Sequence, residues 1–224
     1  MNRVNVIAID GPAGSGKSTI AKRIAEKLGF LYIDTGAMYR ALTLKAIRKG
    51  LDFNDKEALL ALSKNTDIEF KEGPRSLRVY LDGKDVTEEI RTMEVTTRVK
   101  KLASLKDVRS NMVKLQRKLG EASKGAVLEG RDIGTVVFKD ARYKFYLDAS
   151  LETRVKRRFD EFADKKINVA LEEVRKDVTE RDTSDMTREV GALKKAPDAA
   201  AIDTTDMTIE EVTGAVLKVV KCEI

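Results

Sequence analysis

Gly11-Pro12-Ala13-Gly14-Ser15-Gly16-Lys17-Ser18 sets three glycines within six residues and follows them with a lysine and a hydroxyl. The spacing is G-x-x-x-x-G-K-[ST], and the chemistry it serves is the holding of a polyphosphate. Glycines let a backbone wrap closely with its N–H groups turned inward. The helical pattern that follows, Ile20, Ile24 and Leu28, would add the positive end of its dipole. In such a loop Lys17 reaches the β and γ phosphates and Ser18 ligates Mg²⁺. A plain flexible turn would explain the glycines but not the buried strand before them or the helix after. The run Gly11, Pro12, Ala13, Gly14, Ser15, Gly16, Lys17, Ser18 and Thr19 is therefore the expected nucleoside triphosphate loop, with ATP as the expected ligand.

What would receive the phosphate is written in arginine. Arg40 follows Asp34-Thr35-Gly36-Ala37-Met38-Tyr39, and Arg131 sits in Glu129-Gly130-Arg131-Asp132. Arg154, Arg157 and Arg158 fall at i, i+3 and i+4, one face of a helix, and Arg181, Asp185 and Arg188 recur at i, i+4 and i+7. Each cluster also has a plainer reading: a solvated helix face for the first, surface ion pairs with Glu180 and Asp185 for the second. The Glu129–Asp132 stretch lies just beyond a buried strand, which sets it against that reading. Many arginines around a polyphosphate loop suit two phosphate-bearing substrates. The N/T-K-x-D base-reading motif of GTPases is absent from the sequence. So is histidine, which excludes an imidazole base or a histidine metal ligand.

These groups need a scaffold. Near-continuous apolar runs recur at Val4–Asp10, Phe30–Asp34, Ala126–Glu129, Lys144–Asp148 and Ala200–Asp203, as expected for strands buried on both faces of a parallel sheet. Helical patterns lie between them. The fold class expected is α/β, a doubly wound parallel five-stranded sheet of the P-loop NTPase type, which binds ligands beyond the carboxyl ends of its strands. Each run ends at an acidic residue, so those residues should line the site. From Asp67 to Val86 the pattern changes to short antiparallel strands, with Asp82-Gly83 as a hairpin turn.

The 224 residues allow one substantial core with a smaller lobe. No run approaches the roughly 18 apolar residues of a membrane span, and the first residues read as a strand rather than a signal peptide. Cys222 is the single cysteine, so no intramolecular disulfide can form. A cytoplasmic, reducing setting follows as the expectation. Lys and Arg outnumber Asp and Glu 43 to 37, with both signs interspersed, which fits an anionic ligand or simply a charged surface. Charged residues make up 36% of the chain and Gln116 is its only glutamine, a composition in keeping with high working temperature.

The chain closely resembles the bacterial cytidylate kinases. The matching stretches are "IDGPAGSGKST", "YIDTGAMYRA", "DVTEEIRTMEV", "VLEGRDIGTVVF", "FYLDASLETRVKRR" and "ERDTSDMTR", in the family's order and over nearly the whole length. "DTGAMYR" and "GRDIGTVVF" are specific to that family, whereas the phosphate loop is not. The resemblance implies the reaction ATP + CMP ⇌ ADP + CDP, with dCMP also accepted and Mg²⁺ required. It implies a kinase core, residues 1–35 and 104–224, with a short helical lid at about 151–168. A small α+β monophosphate-binding lobe, 36–103, would hold the β insert. Carried over by position, Arg40 and Arg131 hold the CMP phosphate. Arg109, Asp132 and Arg188 read cytosine. Arg181 and Asp185 hold the pentose, with Arg181 also near the phosphate. Thr35 matches a family position that is Ser or Thr, and Arg154, Arg157 and Arg158 close over ATP. A monomer is implied.

One position departs from the family. Many relatives carry a cytosine-contacting serine just after "EIRT-x-EV", and the ungapped match here is Lys100. A charged lysine donates hydrogen bonds but accepts none, so that contact is either lost or rebuilt by Ser104. The missing histidine is no obstacle. A monophosphate's second pKa is about 6, so its attacking oxygen is already largely anionic at neutral pH. Glu129, at a strand end beside the loop, is a candidate for the metal's waters. The rival readings are a kinase for another small acceptor, such as UMP or shikimate, and a nucleic-acid-binding P-loop protein. Against the latter stand the scarce aromatics, 5%, and the lack of a basic tail; no nucleic acid or membrane partner is expected.

Overall fold

The computed structural model describes residues 5–71, 77–164 and 167–221. Val4, Cys222, residues 165 and 166 of the expected lid and residues 72–76 of the β insert lie outside them.

Strand β1 (Val6–Asp10) shows why the pattern gives a sheet. All five residues are buried. Ile7 and Ile9 pack on one side with Ile20 and Ile24 of helix α1 (Lys17–Leu28), and Val6 and Ala8 pack on the other with Leu42 and Met112. That is the period-two alternation of a strand covered on both faces. β2 (Leu31–Asp34), β6 (Ala126–Gly130), β7 (Tyr143–Asp148) and β8 (Ala200–Asp203) complete an all-parallel five-stranded sheet in the order β2-β6-β1-β7-β8. The expected α/β sheet is the one observed. Strand ends differ from the sequence reading by a residue or two, because pairing rather than apolarity sets where a ladder stops. Asp10, Asp34, Glu129 and Asp148 emerge along its carboxyl edge.

Helices α1 and α8 (Ile209–Lys221) cover one face. The other is covered by α2 (Thr35–Arg48) and α5 (Lys106–Glu121). Between α2 and α5 come α3 (Lys56–Lys64), a three-stranded antiparallel sheet and α4 (Met93–Ala103). That sheet is β3 (Ile68–Lys71), β4 (Arg78–Leu81) and β5 (Lys84–Asp85). Asp82 and Gly83 turn between β4 and β5 at φ 47° and 77°, both left-handed as a two-residue hairpin demands. Leu59, Ile68, Val79, Val95 and Leu102 of this insert share one apolar cluster with Val6, Ala8 and Leu128 of the main sheet.

Helix α6 (Leu151–Asp164) and helix α7 (Leu171–Thr187) lie against each other over the sheet's carboxyl edge. Among the described residues no helix is long and apolar enough to cross a membrane.

Candidate active site

The glycine loop leaves β1 and enters α1 through left-handed backbone at Gly14, φ 77°, and Gly16, φ 87°. Gly16 is the N-cap of α1. A Cβ on Gly14 would lie 2.9 Å from the carbonyl oxygen of Arg154, so the loop passes directly beneath helix α6. Lys17 is only 5% exposed. Its ammonium donates to the Pro12 carbonyl at 2.6 Å and to Ser15 Oγ at 3.4 Å. Burial pushes its pKa down to about 7, and the Arg131 and Arg181 guanidinia push the same way, against Glu129 and Asp185. Ser18 and Thr19 are exposed at the start of α1.

Opposite Lys17 stands an arginine–aspartate network. Asp185 of α7 takes Arg131 Nε on Oδ2 at 2.6 Å and Arg188 Nη2 on Oδ1 at 2.5 Å. Burial would raise this carboxyl's pKa, but the guanidinia of Arg131 and Arg188 outweigh it and hold the value below the usual range. Arg181 is pushed down to about 10, first by burial, then by Arg131, with Arg40 and Arg158 adding. Lys17, Arg40, Arg131 and Arg181 therefore crowd positive charge into one place, the electrostatics of a polyanion site. Arg40 donates to Asp34 Oδ2 at 2.9 Å, and its Nε is buried with no hydrogen-bond partner. Arg109, 2% exposed, binds Asp132 Oδ2 at 2.5 Å and the Ala103 carbonyl at 3.1 Å, and lies over the Tyr39 ring. Thr35 turns its hydroxyl to the Glu129 carbonyl at 2.7 Å.

Glu129 is buried and accepts from the Tyr32 hydroxyl at 2.5 Å. Burial and the neighbouring Asp34 carboxylate raise its pKa, while Lys17 and hydrogen bonds from Ser18 and Tyr32 work the other way. Ser18 and Glu129 thus form a pair of hard oxygen donors beside the loop, the donor type a small divalent cation takes.

The three arginines of α6 separate in role. Arg154 is 8% exposed: it pairs with Asp182 of α7 and donates to the Ala13 and Ala149 carbonyls, at 3.2 and 3.0 Å. A solvated face does not describe it. Arg157 donates to Thr204 O at 2.6 Å and to Thr204 Oγ1 at 3.0 Å, and approaches Gly14 O at 3.5 Å. Arg158 pairs with Glu161 at 2.6 Å. Lys100 makes its ion pair elsewhere than with Asp132 or Asp185. Its ammonium pairs with Asp177 of α7 at 3.3 Å, and Ser104 Oγ is exposed and bonded to the Lys101 carbonyl.

One stretch was not singled out from sequence. A cleft of about 410 Å³ runs from Gly14, Gly16, Lys17, Ser18 and Thr19 past Arg157 to Thr204, Met207, Thr208 and Ile209. The signal was present: these last residues follow β8, whose carboxyl end faces the ligand side like the others.

The model of the family described as cytidylate kinase matches residues 7–222. A protein of Clostridioides difficile described as cytidylate kinase is 50% identical over 212 residues, 95% of this chain and 96% of that one. One of Bacillus pumilus, with the same description, is 50% identical over 211 residues, 94% and 93%. Among solved structures, TT1252 from Thermus thermophilus shares the fold, at TM-score 0.52 and 20% identity, covering 100% of this chain and 99% of that one. With a matching model across 7–222 and relatives at half identity from end to end, the chain belongs to the cytidylate kinase family.

Proposed function

We propose that this chain transfers the γ-phosphoryl group of ATP to CMP and dCMP, giving CDP and dCDP. The carrying observation is the convergence of Lys17, Arg40, Arg131 and Arg181 beside the glycine loop, where burial and mutual repulsion depress the pKa of Lys17 and Arg181. Such a set is relieved by two phosphate chains brought together. The family's name supports CMP as acceptor.

In this reading ATP lies along Gly11–Thr19, with its base toward Thr204–Ile209 and Arg157. Arg40, Arg131 and Arg181 hold the monophosphate, and Thr35 and Asp34 shape the floor below. Asp185, with Arg181, takes the pentose. Arg109, Asp132 and Arg188 take the cytosine edge, donors and a carboxylate acceptor together. Ser18 and Glu129 suit Mg²⁺, which when bound would screen the β- and γ-phosphate oxygens. No base is required, because the acceptor oxygen is already an anion. The protein's work is alignment of two polyanions, neutralisation of charge on the moving group by Lys17 and the arginines, and exclusion of water by α6. The enzyme works as a monomer in the cytoplasm.

The test is ADP release from Mg-ATP with CMP, dCMP, UMP, AMP and GMP in turn. Turnover confined to CMP and dCMP is expected. Comparable UMP rates would place base selection with the residue that Lys100 replaces. No turnover with any acceptor would overturn the reading.

A further inference from the structure

Arg131 and Asp132 stand on the turn that leaves β6, and that turn is unusual. Ile133–Val137 forms a single π-helical turn, with Phe138 N donating to Ile133 O at 2.7 Å. Such turns are rare and frequent at functional sites, and this one is held by side chains from neighbouring elements. Two side chains do so from opposite ends, one buried and one at the surface. Asp10, the last residue of β1, accepts from Ile133 N on Oδ1 and from Gly134 N on Oδ2, each at 2.8 Å. Arg117 of α5 donates from Nε to the Val137 carbonyl at 2.6 Å and from Nη2 to the Val136 carbonyl at 2.8 Å. An anion thus closes the N–H end and a cation the C=O end, the arrangement that complements the turn's own dipole. Among the described residues, nothing comparable holds its middle: Thr135 Oγ1 is buried without a hydrogen-bond partner.

We infer that Asp10 and Arg117 are positioning residues that hold the Arg131–Asp132 turn in register with the polyphosphate loop. This rests on the proposed function. Asp10 is followed directly by Gly11, so one carboxylate ties the start of the ATP loop to the acceptor-phosphate arginine. Both its oxygens are committed to backbone N–H groups and it is 4% exposed. It therefore acts through the turn. Arg117 faces the turn from the α5 side and acts the same way. Losing either clamp lets Arg131 and Asp132 drift while leaving the glycine loop and its own contacts in place. An ångström of such drift can cost about a hundredfold in rate.

The experiment compares the wild type with Asp10→Asn, Asp10→Ala and Arg117→Met, each checked for folding by circular dichroism. Steady-state kinetics vary CMP and ATP separately. Asp10→Asn is expected to lower kcat by about tenfold or more and to raise KM for CMP several-fold, with KM for ATP within about twofold. Asp10→Ala, which keeps no acceptor, should be worse, and Arg117→Met should move the same parameters in the same direction by a smaller factor. A merely structural role would lower thermal stability without splitting the two KM values. Folded variants with wild-type kcat and KM for CMP would overturn the inference. If the Asp10 variants do not fold, Arg117→Met decides, and its indifference overturns the inference equally. A wild type that turns over CMP beside unchanged variants sinks this inference alone. A wild type that does not use CMP sinks the proposed function and this inference with it.

Discussion

Lys17 is an ammonium held under electrostatic tension. Burial and the nearby Arg131 and Arg181 guanidinia bring its pKa to about 7, from an ordinary value of 10.5. Its ammonium is therefore easier to deprotonate than that of an ordinary lysine. A triphosphate laid along the loop adds negative charge beside it, which favours the ammonium and raises the pKa again. Binding should then draw a proton from solution. The nucleotide does not supply or take that proton, since its terminal phosphate is already ionised at pH 8. Calorimetric titration with ATP at pH 8, in buffers of different ionisation enthalpy, should report a net proton uptake. Lys17→Met should abolish the uptake and weaken ATP. An uptake that persisted in Lys17→Met would place the titrating group elsewhere.

At the scale of elements, the same backbone angle serves two purposes. Gly14 in the phosphate loop and Gly83 in the β4–β5 hairpin both sit at φ 77°. A Cβ at either strains the backbone by about 1–2 kcal/mol. At Gly83 it meets open space; at Gly14 it meets the backbone and Cβ of Arg154. Gly83→Ala should lower Tm by about 2–8 °C and leave kcat and both KM values alone. Gly14→Ala carries the same strain but pushes α6 off the loop, so its KM for ATP should rise by about tenfold or more. Melting curves and kinetics of the two variants side by side separate the effects. Equal kinetics would mean that α6 does not set the loop's shape.

Both turns were legible in the sequence because each is a local device: Asp82-Gly83 and the glycine loop are recognised within a few residues. The strands were legible for the same reason, their apolar runs being short and bounded. The partners were not. Arg154 finds Asp182 from 28 positions away, Arg131 finds Asp185 from 54, and Lys100 finds Asp177 from 77. Thr204 reaches Ser15 across 189. Spacing grouped Arg181, Asp185 and Arg188 as one helical face; Arg181 and Asp185 lie on α7, and Arg188 is the extended residue that ends it. The spacing could not reveal that Val174, Val178, Asp182 and Asp185 form one buried stripe, apolar at one end and acidic at the other. A hydrophobic pattern does not register a carboxylate that is buried because an arginine from another element meets it.

For the molecule as a whole, the apolar clusters set which parts move together. One cluster joins the α2/α5 face of the main sheet to the insert without a break. The α6–α7 pair rests on a separate cluster of three buried residues, Val155, Val174 and Val178, with partly buried neighbours such as Phe159 and Phe162. Opening that pair exposes far less apolar surface than opening the sheet, so it belongs to the low end of the local stability scale. Its ties to the rest are polar and include Arg154 to the Ala13 carbonyl, Arg157 to Thr204, the Lys100–Asp177 pair to α4 and, in the second half of α7, Asp185 to Arg131. The first two involve the phosphate loop and the adjoining β8–α8 connection, so a nucleotide seated there should stabilise the closed arrangement. Hydrogen–deuterium exchange should accordingly show amides of α6 and the first half of α7 exchanging well before those of β1, β6 and the insert. Saturating ATP with CMP should slow the α6–α7 amides by about tenfold, a shift of about 1.4 kcal/mol in the opening equilibrium, and change the insert's apolar core little. Arg154→Met should erase most of that protection by removing the tie to Asp182 and Ala13. Uniform exchange across α6, α7 and the sheet would mean that the pair does not open on its own, and that substrates enter by movement of the insert instead.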